Sequence, residues 1–132
     1  MSAKREVIPL AVCAPDATSG SGQPLSLAVR GGDFLFVSGL TAGDLKSGER
    51  LQGTTASETR QILTNLKQLL EAAGSSLDKV VKVNVLLHSM LEERNMNEVY
   101  ARFFPDQPPA RTVCGARLPD AVKVIVECTA LA

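Results

Sequence analysis

The first regular pattern of hydrophobic and polar residues predicts a β-hairpin. Apolar residues alternate with polar or small ones over residues 25–30, as in a strand that buries one face. Residues 34–38 form a second apolar-rich run, and Gly31-Gly32-Asp33 between the two runs is typical of a turn. The two strands should therefore pair antiparallel, and a short additional strand is predicted near Val7.

Two stretches further along the chain have the period of a helix. Thr55 and Glu58 have capping-box spacing at the start of the first helix, and Gly74 should end it. Ser89 and Glu92 have the same capping-box spacing at the start of the second helix, and Pro105 should end that helix. The predicted apolar stripes are, in the first helix, Ile62, Leu63, Leu66, Leu69, Leu70 and Ala73 and, in the second, Leu91, Met96, Val99, Tyr100 and Phe103.

Three more strands are predicted around these helices, over residues 79–87, 111–117 and 121–130. The last two are joined through Leu118-Pro119-Asp120. Period-two alternation gives each strand two faces. The side chains expected on one face are Val81, Val83, Val85 and Leu87 in the first of these strands, and Val122, Val124, Val126 and Cys128 in the last; Lys123, Ile125, Glu127 and Thr129 point the other way.

This order of elements predicts one α+β domain over residues 1–132, with a mixed sheet and both helices packed on one face. The mixture follows because strand–helix–strand units require parallel strands, whereas a hairpin is antiparallel. The other face of the sheet carries Leu86 and Ile125 among polar residues. A half-apolar sheet face is better explained by contact between subunits than by solvent, which predicts a homo-oligomer.

Composition narrows the classes of function. Fourteen basic residues balance fourteen acidic ones, so the chain shows none of the basic excess that a nucleic-acid or anionic membrane surface attracts. One histidine excludes a histidine-rich metal site. The N-terminus has no apolar run behind its charges, and Cys13, Cys114 and Cys128 form no Cys-x-x-Cys pair. We therefore expect a cytoplasmic protein with reduced thiols and no membrane span.

Two residues are candidates for chemistry. Pro108-Pro109-Ala110-Arg111 is a rigid loop that delivers an arginine to the start of a strand, where its planar fork of donors could grip a carboxylate. Glu127 interrupts an apolar strand, so it requires a partner or a cleft, and in a cleft it could activate a water. The alternatives are a surface role for Arg111 and a salt bridge from Glu127 to Arg111 or Lys123. His88 is expected to be a polar residue at a strand end.

Several short motifs follow one another along the chain. They are the strand sequence Leu35-Phe36-Val37-Ser38-Gly39, the helix Asn97-x-x-Tyr100-x-x-Phe103-Phe104, and the C-terminal segments Pro109-Ala110-Arg111-Thr112, Ala116-Arg117-Leu118-Pro119 and Val126-Glu127. In order and spacing they resemble the motifs of the reactive intermediate deaminase (Rid) family, also called YjgF or L-PSP, and the match extends over nearly the whole chain, from about Leu25 to Ala130.

The resemblance implies a chorismate-mutase-like fold, a homotrimer with sites in the clefts between subunits, and cofactor-independent hydrolysis of imines and enamines such as 2-aminoacrylate to 2-keto acids and ammonia. It also implies that Arg111 grips the substrate carboxylate and that Glu127 positions the water. Ser38, Gly39 and Asn97 would line or support the pocket, and backbone groups near Gly39 and Cys114 could hold the polar ends of the substrate.

The chain departs from the family pattern at the pocket wall. Leu25 stands where the family commonly has a tyrosine, and Leu40 where it commonly has a glutamine. The more apolar wall would suit a larger or more apolar substrate. Three other functions remain open: a pathway-specific deaminase of the aminomuconate type, a non-catalytic binder of keto acids or other carboxylates, and, least favoured by the charge, an RNA-directed endoribonuclease.

Overall fold

Six strands form one mixed sheet in a computed structural model of the chain, which describes residues 4–9 and 24–132. The strands are β1 (Arg5–Val7), β2 (Ala28–Gly31), β3 (Phe34–Leu40), β4 (Val80–Leu87), β5 (Ala110–Gly115) and β6 (Val124–Leu131). Their order across the sheet is β1-β2-β3-β6-β4-β5. Two α-helices, α1 (Thr55–Ala72) and α2 (Glu93–Phe103), and two 3-10 turns, Leu77–Lys79 and Met90–Glu92, complete the described elements.

Strand β6 lies between β3 and β4 and runs antiparallel to both, whereas β4 and β5 are parallel. The predicted hairpin is β2–β3, in which Gly31 pairs with Phe34, so the turn proper is Gly32-Asp33. Gly32 has φ +59°, a conformation that glycine adopts without steric cost. The predicted α+β fold with a mixed sheet is confirmed, and the predicted strand near Val7 is β1.

The core lies between one face of the sheet and the two helices. Its fully buried side chains come from alternating positions of β3, β4 and β6 and from the predicted stripe of α1. They include Leu35, Val83, Val85, Leu87, Val124 and Val126 of the sheet and Ile62, Leu63, Leu66, Leu69 and Leu70 of α1. Met96 and Tyr100 bring α2 into the same cluster. The predicted inward faces of β4 and β6 are therefore correct from Val83 and Val124 onward.

The beginnings of three strands differ from the sequence prediction. Strand β2 begins at Ala28, not at Leu25, and β6 begins at Val124 because the preceding loop contains Asp120 and Ala121 with positive φ. In β4 a register shift between Val80 and Lys82 points the Val80 side chain toward the core and leaves the Val81 side chain exposed. A bulge of this kind inserts an extra residue and so reverses the alternation on one side of it.

The helix starts also differ. The N-cap of α1 is Thr54, whose Oγ1 accepts a hydrogen bond from the Ser57 amide, so the predicted box at Thr55 was wrong by one residue. Glu58 is buried and accepts hydrogen bonds from the Gly53 and Lys123 amides. It therefore ties the start of α1 to the loop before β6. Ser89 caps the 3-10 turn that precedes α2, and Leu91, predicted for the apolar face, is exposed.

The sheet face opposite the helices, called the open face below, carries more apolar surface than the sequence indicated. Leu86 and Ile125 lie on it as predicted, half-buried. Phe34, Phe36 and Leu131 share this face and are each more than 40% exposed. Among the described residues no helix is long and apolar enough to cross a membrane. Cys114 and Cys128 are free thiols, and Cys13 lies outside the described residues.

Candidate active site

Arg111 lies on β5, the strand at one edge of the sheet. It pairs in register with Val83, whose side chain is fully buried under the helices. Paired residues of neighbouring strands point to the same face, so Arg111 projects toward the helices, and its side chain is half-buried. The proline-rich loop therefore delivers the arginine to a strand start, as the sequence predicted.

Helix α2 holds the Arg111 guanidinium by two contacts. Its Nη1 donates a hydrogen bond to Asn97 Oδ1 at 2.7 Å. The guanidinium carbon lies 4.7 Å from the centroid of the Tyr100 ring, within the range of a cation–π contact. Among the described residues, no carboxylate forms an ion pair with Arg111. The arginine is thus oriented by neutral partners, and its positive charge remains available to a ligand.

Glu127 lies on β6 and projects from the opposite face of the sheet. It pairs with Asn84, and the Asn84 amide donates a hydrogen bond to Glu127 Oε1 at 2.8 Å. A cleft of about 190 Å³ surrounds it, with Phe36, Lys82 and Thr129 among its walls. Neither predicted salt bridge of Glu127 is present among the described residues, because Lys123 lies near Glu58 and Arg111 projects from the other face of the sheet. The carboxylate is exposed and can hold a water.

Ser38 and Gly39 lie beside Glu127. Val37 pairs with Cys128 and Leu40 with Val126, so the irregularity in β3 places both Ser38 and Gly39 opposite Glu127. The Ser38 hydroxyl donates to the Ser26 carbonyl at 2.6 Å, which fixes the side chain. A Cβ at position 39 would lie 2.9 Å from Ile125 Cγ2, so a larger residue there would have to displace the Ile125 side chain. The structure therefore brings these two predicted site residues to the same face as Glu127.

Of two further predicted residues, Cys114 lies on the open face and Leu25 lines a separate cleft. Cys114 pairs with Leu86, which lies on that face, and its side chain is exposed. Leu25 is 48% exposed, and it lines a cleft of about 300 Å³ together with Gly39. Other walls of this cleft are Leu27, Leu40, Thr41, Asp44 and Leu45. Gly39 thus joins the leucine-lined cleft to the surroundings of Glu127.

The predicted site residues fall into two groups on opposite faces of the sheet. Arg111 and Asn97 form one group on the helix side, and Glu127, Ser38 and Gly39 form the other on the open face. Strand β4 lies between β5 and β6, a separation of two strand spacings or about 10 Å. Within one subunit the structure therefore does not bring Arg111 and Glu127 together.

Sequence reasoning missed two residues that support these groups. Tyr100 was assigned only to the apolar face of α2, although its spacing of three from Asn97 places both on one side of a helix. Asn84 is the second residue, and its hydrogen bond to Glu127 can be found only once the strand register is known. No signal within β4 alone identifies it.

The other titratable groups near Arg111 are held neutral by burial. Burial raises the pKa of Tyr100 to about 12, although the positive charge of Arg111 opposes the rise. Burial, together with the negative charge of Glu127, raises the pKa of Cys128 to about 12. Neither group supplies an anion near neutral pH. The charged side chains at these places are therefore Arg111 on the helix side, Glu127 and Lys82 on the open face, and Asp44 in the cleft beside Leu25.

Comparisons with known proteins agree with the sequence motifs. The model of the endoribonuclease L-PSP family matches residues 16–132. A RutC family protein of Pyrococcus horikoshii is 44% identical over 108 residues, which are 81% of this chain and 86% of that protein. The chloroplastic Reactive Intermediate Deaminase A of Arabidopsis thaliana is 32% identical over 81% of this chain and 58% of its own length. A Rid family structure from Yersinia pestis superposes with a TM-score of 0.83 at 26% identity, covering 98% of this chain and 100% of that one.

Proposed function

Because the chain belongs to the endoribonuclease L-PSP family, the group also called Rid or YjgF, we propose that it hydrolyses 2-imino acids to 2-keto acids and ammonia. The single observation that carries the proposal is the state of Arg111. It is half-buried, oriented by Asn97 and Tyr100, and not neutralised by a carboxylate of the described residues. Such an arginine matches the bidentate geometry of a substrate carboxylate.

The reaction requires the enzyme to position the imine and the water more than to activate either of them. The carbon of a protonated imine is already electrophilic, so a water held at the correct distance can attack it. Glu127 accepts a proton from that water as the C–O bond forms, which gives a carbinolamine. Glu127 then gives this proton to the nitrogen, and cleavage of the C–N bond, with the hydroxyl proton returning to Glu127, releases ammonia and leaves the 2-keto acid. An enamine enters the same route after tautomerising to the imine, and no cofactor takes part in any step.

The two groups on opposite faces support a site shared between subunits. In a cyclic trimer each interface is head-to-tail, so the helix-side edge of one subunit can meet the open face of the next. We place Arg111 and Asn97 of one subunit opposite Glu127, Ser38 and Gly39 of its neighbour. The exposed Phe34, Phe36 and Leu131 of the open face supply apolar surface for this contact.

A homotrimer in solution is the first expected result. Neighbouring subunits should cover the apolar open face at micromolar concentration, because the exposed Phe34, Phe36 and Leu131 favour association. Light scattering coupled to size exclusion measures the mass directly. A stable monomer of 14.0 kDa would contradict the shared site.

Substrate size is expected to depend on Leu25. A leucine offers no hydroxyl to the cleft beside Gly39, so we expect bulky apolar imino acids to be accepted better than 2-aminoacrylate. Leu25→Tyr should lower, by about tenfold, the ratio of kcat/KM for the leucine-derived imine to kcat/KM for 2-aminoacrylate. Leu51→Tyr is the matched control, because Leu51 is similarly exposed (43%) and lies outside this cleft. An unchanged ratio in Leu25→Tyr would remove Leu25 from the site.

The reaction itself is tested by incubating the wild-type protein with 2-aminoacrylate and a panel of larger imino acids while keto acid and ammonia are followed. Release of both above the spontaneous rate supports the proposal. Binding of the keto acids without turnover would favour the carboxylate-binding alternative.

The balanced charge of the chain does not favour an RNA-directed activity, and such an activity would show a steep dependence on salt. A cytoplasmic location stays a prediction.

A further inference from the structure

We infer that Tyr100 is a positioning residue for Arg111, and that its aromatic ring, not its hydroxyl, fixes the plane of the guanidinium. The inference rests on the proposed role of Arg111 as the carboxylate anchor. The ring face attracts the cation across 4.7 Å, while Asn97 accepts a hydrogen bond from one edge of the guanidinium at 2.7 Å. The first contact fixes the plane and the second fixes the rotation within it.

The Tyr100 ring is itself immobile. It is 5% exposed, and its centroid lies 4.8 Å from that of Phe104, the residue directly after α2. Asn97 and Tyr100 are three residues apart on α2, so one rigid helix face carries both contacts. Arg111 therefore loses rotamer freedom during folding, and less is lost when the substrate binds.

The hydroxyl of Tyr100 has no role that the structure reveals in this arrangement. It is buried and has no hydrogen-bond partner among the described residues. A buried hydroxyl without a partner costs stability, so its removal should not disturb the fold. The ring alone contacts Arg111, and phenylalanine should replace it.

The kinetic test compares Tyr100→Leu with Tyr100→Phe. The carboxylate keeps its charge while water attacks the adjacent imine carbon, so its anchor contributes about equally to substrate and transition-state binding, and loss of the anchor raises KM more than it lowers kcat. We expect Tyr100→Leu to raise KM by about fivefold to tenfold, the effect of a partly desolvated cation–π contact, with kcat nearly unchanged. Tyr100→Phe should keep the wild-type KM. Val99→Ala, a buried truncation on the same helix, controls for lost stability and should leave KM unchanged.

A second measurement does not depend on turnover. The Nε–H resonance of Arg111, assigned by its disappearance in Arg111→Lys, should be shifted upfield by the Tyr100 ring current relative to that of the exposed Arg60. The shift should persist in Tyr100→Phe and vanish in Tyr100→Leu. An unshifted wild-type resonance, or a Tyr100→Phe variant as defective as Tyr100→Leu, would overturn the inference. If the Arg111 resonance is shifted upfield as expected but no imine is hydrolysed, the proposed function is overturned and the inference about Tyr100 stands.

Discussion

Replacing Arg111 by alanine is expected to reduce kcat/KM for every imino acid by a hundredfold to a thousandfold, on the order of 3–4 kcal/mol. The variant loses the charge-assisted contact with the substrate carboxylate. The fold should survive, because Arg111 lies on an edge strand and its side chain contacts the protein through Asn97 and Tyr100 rather than through an ion pair among the described residues.

Arg111→Lys should recover little of this activity, since an ammonium group cannot reproduce the planar fork. Arg60→Ala, on the exposed side of α1, is the control for loss of one positive charge and should retain wild-type kinetics. Steady-state kinetics and thermal denaturation of the three variants provide the measurement. Full activity in Arg111→Ala would show that another group binds the carboxylate.

Glu127→Gln is expected to lower kcat by a hundredfold or more while KM changes little, because a positioned general base typically contributes a factor of about 10² to 10⁴. The amide keeps the shape of the side chain, and its oxygen can still accept the hydrogen bond from Asn84. Glu71→Gln on the exposed surface of α1 is the matched control and should be neutral. A wild-type kcat in Glu127→Gln would exclude the carboxylate from proton transfer.

The sequence predicted the elements of this fold more reliably than their edges. Alternation in β6 and the apolar stripe of α1 identify their buried faces, because a period of two or of 3.6 residues is a property of the segment alone. The cap at Thr54 was missed because Thr55 beside it is an equally suitable residue. The bulge that buries Val80 and exposes Val81 depends on pairing with β6, which no local pattern specifies.

The division of the site between two faces could not be predicted for the same reason. Alternation places Arg111 on one face of β5 and Glu127 on one face of β6, but the two strands are related only through β4. Val83 pairs with Arg111, and Asn84, its neighbour, pairs with Glu127. This one-residue offset decides that the two side chains leave opposite faces. Identifying both residues from sequence motifs therefore did not establish how they meet.

The measurement that tests the shared site most directly uses Arg111→Ala and Glu127→Gln subunits together. Each variant alone should be nearly inactive. When equal amounts are unfolded and refolded together, about three quarters of the trimers should be mixed, and each mixed trimer should contain one interface with an intact arginine facing an intact glutamate. With one intact site in each mixed trimer, the mixture should recover about a quarter of the wild-type activity. If both residues act within one subunit, mixing restores nothing, and activity that stays at the level of the separate variants would contradict a site shared between subunits.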